Sequence, residues 1–433
     1  MGRLLMIAGR NLFKNKRRTF LLGGAIVAVT TLLILLGSVG NGINDTMMRA
    51  GTALMTGHVN VGGFYKITSG QAAPLVTNAA QLKKDIQELV PNAKAIVNRD
   101  LGFGKIVSNS DTNQAALTAV DPKQESELRA VLQMVAGDFD SLSNPHTIML
   151  FEKQAKRLNV TVGEKVTLSA PIMKGQNNSI DVTVGAVAKD LGLLSIMSAF
   201  VSMGTVHDLY ELAADTTGVY FVYLDNPDDA ESVLETVNAG LLDKGYLIME
   251  RQDLPFYRKF DVVQGEAWTG QKLDLTTWEG ALAGMQWTVK TFDYLTGVLI
   301  GILLFIIVVG VMNTMWIAVR DRTREIGTLR AIGMSQGKVL TMFLLEAFLL
   351  STVATLLGIA LGALLTSAFT AMKIPVSEGF QIFLMSDTLR MVVSADSVIK
   401  ALVVIPLLTT VGAFFPARRG AKLKPVTAMY HVG

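Results

Sequence analysis

The segment best suited to phosphate chemistry is the string "GMSQGKV", which runs from Gly333 to Val339. A phosphate-binding loop needs the pattern G-x-x-x-x-G-K-[ST], because backbone amides and the lysine must surround the phosphates while a hydroxyl binds Mg²⁺. Here the spacing is one residue short, and Val339 replaces the hydroxyl. The string also follows an arginine-rich helical pattern instead of a strand. We therefore predict that this chain is not an enzyme and has no ATPase site of its own.

Other patterns that could bind a metal or carry out catalysis are missing from the sequence. There is no cysteine, and the four histidines have no H-E-x-x-H or similar spacing. Residues 41–293 contain no G-x-S-x-G nucleophile elbow. The net charge is only +3, and no basic run is interleaved with aromatic residues, which argues against nucleic acid as a partner. We expect no metal and no cofactor in this chain.

The hydrophobic content is high for a soluble protein, at 50%, and only 17% of the residues are charged. About 20 apolar residues are needed for a helix to cross a bilayer. Four segments meet this requirement, at residues 19–40, 294–319, 339–370 and 398–415. The first could instead be a signal peptide, but its apolar run is longer than usual and no clear A-x-A site follows. We predict four transmembrane helices, the first being an uncleaved anchor.

The orientation of these helices follows from the distribution of Lys and Arg, which are enriched on the cytoplasmic side. Basic residues are concentrated in residues 1–18, 320–338 and 416–433, whereas the connection at 371–397 has only two. This predicts cytoplasmic termini, a cytoplasmic loop at 320–338 and a short periplasmic loop at 371–397. The chain is therefore predicted to be a multi-pass membrane protein.

Residues 41–293 are then a large periplasmic domain inserted between the first two spans. Short apolar runs bounded by turn residues predict strands, and longer amphipathic patterns predict helices, so the domain is expected to be α+β. The predicted strands are "GHVNVGG", "KAIVNR", "FGKIVS", "QAALTAVD", "KVTLSAP", "DVTVGAVA" and "GVYFVYLD". Helices are predicted at "LFEKQAKRLNV" and "DDAESVLETVNAGLLDKG", the latter capped by Asp228 or Asp229. Residues 266–293 are predicted to be a helical stalk leading into the second span.

The loop at 320–338 combines charge with an apolar edge. Arg320, Arg324 and Glu325 are charges that a partner could pair with. An apolar edge with helical spacing is formed by Ile326, Leu329 and Ile332, and Gly333 is expected to end the helix. A positive loop that only binds anionic lipid is the alternative explanation.

Several stretches resemble the FtsX-like permeases of ABC transporters, which include the MacB-like exporters and the LolC/LolE-type lipoprotein-release subunits. The strings are "RNLFKNKRRT", "REIGTLRAIGMS", "PARRGAKLKPVTAMY", "MLFEKQAKRLNVTVGEKVTL" and "AFVSMGTVHDLY". The resemblance implies the type VII, mechanotransmission architecture and a location in the bacterial inner membrane. In it a permease dimer, of one chain or of two paralogues, is driven by two cytoplasmic ATPase subunits that bind the ATP and Mg²⁺. It also implies a periplasmic chaperone or adaptor as a possible partner.

In that family the loop between spans two and three is a coupling helix that docks on the ATPase. The resemblance assigns this role to Arg320, Arg324, Glu325, Ile326, Gly327, Leu329, Arg330, Ile332 and Gly333. It also agrees with the amphipathic pattern of residues 1–18, which predicts a helix on the inner membrane surface.

Two further predictions concern the spans. Ala354, Gly358 and Gly362 form a small-residue stripe that predicts close helix packing, within a protomer or between two. Glu346 is an intramembrane carboxylate, for which we favour pairing with a nearby basic residue over a proton relay.

The resemblance leaves the cargo open. We favour release of lipoproteins from the inner membrane, with acyl chains contacting apolar residues near the outer ends of spans one and two. The candidate contacts are Val39, Ile43, Met47 and Leu299. The alternatives are a MacB-like efflux permease working with an adaptor and an outer-membrane channel, and an FtsX-like regulator of a cell-wall hydrolase.

Overall fold

The computed structural model describes residues 16–68, 71–172, 176–254, 256–377, 381 and 386–424. The predicted surface helix at 1–18 therefore lies almost wholly outside the described residues, as does the end of the tail. The chain divides into two compact units. We call 1–45, 289–375 and 388–433 the helical unit, and 46–288 with 376–387 the sheet unit.

Long helices dominate the helical unit. The four long helices are α1 Lys16–Leu54, α10 Ala283–Asp321, α12 Gln336–Ala371 and α13 Ala395–Ala421, and the short helix α11 Thr323–Ala331 lies between α10 and α12. Among the described residues, four of these are long and apolar enough to cross a membrane: α1, α10, α12 and α13. Their order along the chain is the order of the predicted spans.

The helices extend beyond the predicted spans, most of all in α1. It continues 14 residues past the predicted end at residue 40, although this part contains glycine and polar residues. An apolar pattern explains the extension, because Ile43, Met47, Ala50 and Leu54 recur every three or four residues and are all buried. Similarly, α13 runs past residue 415 to Ala421, so the predicted cytoplasmic tail begins as helix.

Helix α12 packs on α1 through its small residues. A Cβ added at Gly358 would lie 2.5 Å from the Cβ of Thr30, and one at Gly362 would lie 2.8 Å from the Cβ of Ile34. Thr31 also donates its hydroxyl to the carbonyl of Gly358, at 3.2 Å. Gly358 and Gly362 of the stripe therefore lie against α1 of the same chain, because only a missing side chain lets the two backbones approach this closely.

The sheet unit contains thirteen strands within the described residues, with short helices between them. The strands are β1 Val59–Thr68, β2 Gln71–Ala73, β3 Val76–Thr77, β4 Ala95–Val107, β5 Thr112–Val120, β6 Met134–Gly137, β7 Thr147–Phe151, β8 Lys165–Pro171, β9 Asn177–Ala188, β10 Ser198–Ser202, β11 Thr216–Thr217, β12 Val219–Tyr223 and β13 Gly270–Thr277. The helices are α2 Ala79–Leu89, α3 Ser126–Val131, α4 Glu152–Leu158, α5 Gly192–Met197, α6 Thr205–Tyr210, α7 Ala230–Asp243, α8 Phe256–Gly265 and α9 Trp278–Ala281.

Eleven of the described strands form one sheet, in the order β13-β1-β12-β4-β5-β10-β7-β9-β6 with β2 and β8 attached to it. Its pairs are antiparallel except β5 with β10 and β7 with β9. The two largest apolar cores of the described residues in this unit form on it: one packs α2 and α7 on β1, β12 and β13, and the other packs α4 and α6 on β5, β7 and β9. The α+β prediction is confirmed.

Three local predictions were wrong. The runs "KAIVNR" and "FGKIVS" form a single strand, β4, because the chain continues extended through Gly102 and pairs with β5. Residues 270–277 of the predicted stalk form strand β13, since the alternating pattern "KLDLTT" pairs along the length of β1. Asp229 precedes α7, but its side chain makes no capping bond; Asn226 instead caps the 3₁₀ turn before it.

Candidate functional site

The loop between α10 and α12 folds into the short helix α11, and both of its ends are defined by local sequence. At the C-terminal end, the amide of Met334 donates to the carbonyl of Leu329 and that of Gly333 to the carbonyl of Arg330. Gly333 has a φ of +96°, which glycine adopts without strain, so the turn is a Schellman motif. The hydroxyl of Ser335 then caps the first turn of α12.

The N-terminal end of α11 is held by a buried ion pair. Arg322 precedes the first turn, and its Nη1 donates to Oε2 of Glu346 on α12, at 2.8 Å. Both side chains are buried. The Nε of Arg322 also lies 3.9 Å from the carboxylate of Glu325. The N-terminal end of α11 is therefore attached to α12 by a charged contact shielded from water.

The apolar edge predicted for docking does not lie on one accessible face. Ile326 is only 1% exposed and belongs to the apolar core of the helical unit, and Leu329 packs partly against that core. Ile332, in contrast, is 80% exposed. Ile326 is therefore not available to a partner groove without rearrangement, because burial in its own chain already removes it from water. Leu329 is half-buried, and its docking in a partner groove stays a prediction.

The exposed surface of the segment is set by the remaining positions. Of the predicted coupling residues, Arg320, Arg324, Glu325, Ile332 and Gly333 are exposed, while Gly327 is buried and Arg330 is half-buried. We call Arg324, Glu325, Thr328 and Ile332 the exposed face of α11. It offers two opposite charges and one apolar side chain, which suits binding to a protein better than catalysis. Among the described residues, no cluster of three or more His, Asp or Glu could hold a metal ion.

The four predicted acyl-chain contacts differ in accessibility. Leu299 is 49% exposed and Val39 is half-buried, but Ile43 and Met47 are buried. A buried side chain cannot contact a ligand without rearrangement, so the structure removes two of the four as preformed contacts.

Arg322 is the site residue that sequence reasoning missed. It was counted only as one of several basic residues in the loop, whereas Glu346 was expected to pair with a basic residue. The two residues are 24 positions apart, and no local pattern specifies which arginine is chosen. An isolated carboxylate within an apolar segment was the only available signal.

Two family profiles match the chain. Residues 19–239, just over half of it, match the MacB-like periplasmic core domain, and residues 297–425 match the FtsX-like permease C-terminal domain. The second match includes α11 together with its flanking helices.

Several curated proteins are similar to parts of the chain. The macrolide export ATP-binding/permease protein MacB 2 of Yersinia pestis bv. Antiqua (strain Antiqua) is 33% identical over 145 residues, which is 34% of this chain and 20% of that protein. MacB of Campylobacter jejuni subsp. jejuni (strain 81-176) is 33% identical over 140 residues, 32% of this chain and 20% of that protein. The matched region thus spans a fifth of the length of these relatives.

Among solved structures, the periplasmic region of MacB from Actinobacillus actinomycetemcomitans has a TM-score of 0.30 and 14% identity, covering 53% of this chain and 92% of that one. The extracellular domain of the ABC-type transporter YknZ from Gram-positive bacteria has a TM-score of 0.29 and 16% identity, covering 42% and 94%. The two profile matches together extend from α1 to the end of α13. The chain therefore belongs to the MacB/FtsX family of ABC-transporter permeases.

Proposed function

We propose that this protein is the transmembrane subunit that couples a separate cytoplasmic ATPase to movement of its periplasmic domain. The observation that carries the proposal is the exposed face of α11. Its apolar Ile332 and its charges point away from the chain's own core, while Arg322 and Ile326 anchor the helix behind them. Because these contacts attach α11 to its own chain, a displacement imposed by a bound partner can be transmitted to α12 without unfolding α11.

Docking on the exposed face is tested by reversing its chemistry. The double variant Arg324→Glu with Ile332→Asp should abolish co-purification of an ATPase with the tagged permease, since both changes oppose burial in a partner groove. A matched control is Lys422→Glu, an exposed charge reversal at the end of α13. ATP hydrolysis by the eluate and mass spectrometry identify the ATPase. Wild-type retention of ATPase by the double variant would show that this face is not the docking surface.

The proposed mechanism requires α11 to face the cytoplasm and the sheet unit to face the periplasm. The Lys/Arg distribution supports this orientation. Because the chain has no cysteine, single cysteines at Ser179 and Ser335, both exposed, give clean labelling sites. A membrane-impermeant thiol reagent should label Ser179→Cys in intact spheroplasts and leave Ser335→Cys unlabelled until the membrane is opened. Labelling with the opposite pattern would reverse the proposed topology.

Two cargo classes are supported by different observations. Similarity to macrolide export ATP-binding/permease proteins supports an efflux role, and a periplasmic adaptor is the partner that we propose for it. The partly accessible apolar side chains of Val39 and Leu299 support contact with acyl chains and hence lipoprotein release. Homodimer or paralogue pairing of the permease belongs to both proposals.

Reconstituted vesicles separate the two cargo classes. With the co-purified ATPase present, ATP should release a radiolabelled lipoprotein from the vesicles if the cargo is a lipoprotein, and Val39→Asp with Leu299→Asp should reduce this release while ATPase retention is unchanged. Release equal to that of the wild type would remove these two residues from the cargo path. ATP-stimulated transfer of a macrolide to a purified adaptor, without lipoprotein release, would favour efflux.

A further inference from the structure

The end of helix α1 within the sheet unit is bonded to a buried arginine. Arg99, on β4, donates through Nη2 to the carbonyl of Ala53 at 2.8 Å and through Nη1 to the carbonyl of Leu54 at 3.1 Å. These are two of the carbonyls that the end of an α-helix leaves without partners inside the helix. A cation at this end also complements the helix dipole.

The charge on Arg99 is balanced by a second buried group. Glu125, which precedes α3, accepts from Nε and Nη2 of Arg99 at 2.7 Å each, and neither side chain has exposed surface. Burial alone would lower the pKa of Arg99, but the adjacent Glu125 carboxylate raises it above its usual value. The guanidinium also lies 4.9 Å from the ring centroid of Phe221 on β12. Four hydrogen bonds thus engage four of the five N–H donors of the Arg99 guanidinium, and its planar face lies near an aromatic ring.

Strand β12 adds a second attachment to the same turn. The hydroxyl of Tyr223 donates to the carbonyl of Thr52, at 3.1 Å. Burial raises the pKa of Tyr223 to about 12, so this hydroxyl keeps its proton at neutral pH. Three successive carbonyls, of Thr52, Ala53 and Leu54, are consequently bonded to the sheet by side chains.

Stability alone does not explain this arrangement. Many helices end with glycine in the left-handed conformation, which needs no buried charge. A buried ion pair is often no more stabilising than an apolar pair of the same size, because both charges must leave water. The particular property of the buried pair is geometric, since a planar guanidinium with fixed donors sets both distance and direction.

We propose that Arg99 is a positioning residue that locks the last turn of α1 to strands β4 and β12. A displacement carried along α1 then moves the sheet as one body and is not lost as unwinding at the junction. Glu125 holds the guanidinium in the orientation that this requires. The inference rests on the proposed coupling function, because it identifies the point at which that movement enters the sheet unit.

The decisive variant removes the lock without stranding a charge. Arg99→Met with Glu125→Leu replaces both partners by apolar groups of similar size, so the fold should survive. The matched control is Lys259→Met with Asp274→Leu, which removes another buried pair, 2.6 Å apart, that joins α8 to β13. Equal thermal midpoints of the two double variants show that any difference between them is not a general loss of stability.

Hydrogen exchange of the full-length permease in nanodiscs tests the lock directly. In the Arg99/Glu125 variant, amides of residues 50–54 should exchange about tenfold faster or more, because their turn has lost two charge-assisted bonds. The same amides should be unchanged in the control. Wild-type protection in the Arg99/Glu125 variant would overturn the proposal. This measurement needs no ATPase, so it tests whether Arg99 holds the last turn of α1 to the sheet even if the coupling function is wrong.

A second readout tests coupling in the complex with the co-purified ATPase. A fluorophore on Ser179→Cys should report an ATP-dependent signal in the wild type and in the control. The Arg99/Glu125 variant should still bind the ATPase and hydrolyse ATP, but its signal should fall about tenfold. A wild-type signal from this variant overturns the positioning role. If the double variant does not fold, Arg99→Lys replaces it: a single ammonium cannot reproduce both bidentate contacts, so the same loss is expected.

Discussion

The ion pair between Arg322 and Glu346 predicts a large and asymmetric stability effect. Replacing Glu346 by leucine leaves the guanidinium of Arg322 buried, with its 2.8 Å partner removed, and arginine cannot become neutral. Loss of one partner of a buried pair costs about 3–5 kcal/mol. Replacing both, as Arg322→Met with Glu346→Leu, leaves no charge stranded and should restore stability to within about 1 kcal/mol of the wild type.

The assay is thermal unfolding of the full-length permease in one detergent, with the two single variants and the double variant forming a cycle. The coupling energy should be close to the sum of the costs of the two single changes, because the double variant loses almost no stability. Lys400→Met serves as the control, since it breaks the exposed pair between Lys400 and Asp396 and should change the midpoint little. A Glu346→Leu midpoint equal to that of the double variant would refute the reasoning. The pair would then contribute nothing to the anchoring of α11.

Two further predictions concern packing and pH. Gly358→Ala should destabilise the protein by about 1–3 kcal/mol, because its Cβ would lie 2.5 Å from a side-chain carbon of α1. Gly301→Ala is the control, since its Cβ would meet nothing within 4 Å and the change should be neutral or stabilising. Thermal midpoints of the two variants are compared. The pKa of His207 is raised by its bond to Asp100, at 3.2 Å, and further by Asp208. A raised folded-state pKa gives stability that is full below the ordinary pKa and is lost as pH rises through the folded value. His207→Gln should therefore lower the midpoint at about pH 5.5 and have little effect at about pH 8.5; equal effects at both would contradict this.

Much of the architecture was predictable because its signals are local. A run of about 20 apolar residues is sufficient to identify a membrane-spanning helix, and each of the four predicted segments lies inside a long helix of the structure. Alternation identified strands such as β8 in the same way, where the predicted and observed bounds coincide. The string around α11 likewise located the candidate coupling segment and its terminating glycine, Gly333.

The two faces of α11 could not be assigned from the same string. Ile326 and Ile332 have the same side chain and helical spacing, yet one is buried in the helical unit and the other is exposed. Strand β13 was also missed, because a strand at the edge of a sheet is stabilised by a partner, β1, that lies more than two hundred residues away. Periodicity specifies that an element has an apolar side, but it does not specify which neighbour covers that side.

By itself, the sequence determined the four long apolar helices, several strands of the α+β domain, and the family that the chain resembles. The tertiary structure decided which charges meet. In the sequence, Arg322 does not differ from the other arginines of its loop; in the structure, Glu346 of α12 lies 2.8 Å from it. Arg99 likewise reads as an ordinary strand residue, but in the structure it bonds to Glu125 and to the end of α1. The physical reason is that a buried charge is tolerated only where a partner from elsewhere in the chain compensates it, and that partner is known only once the chain has folded.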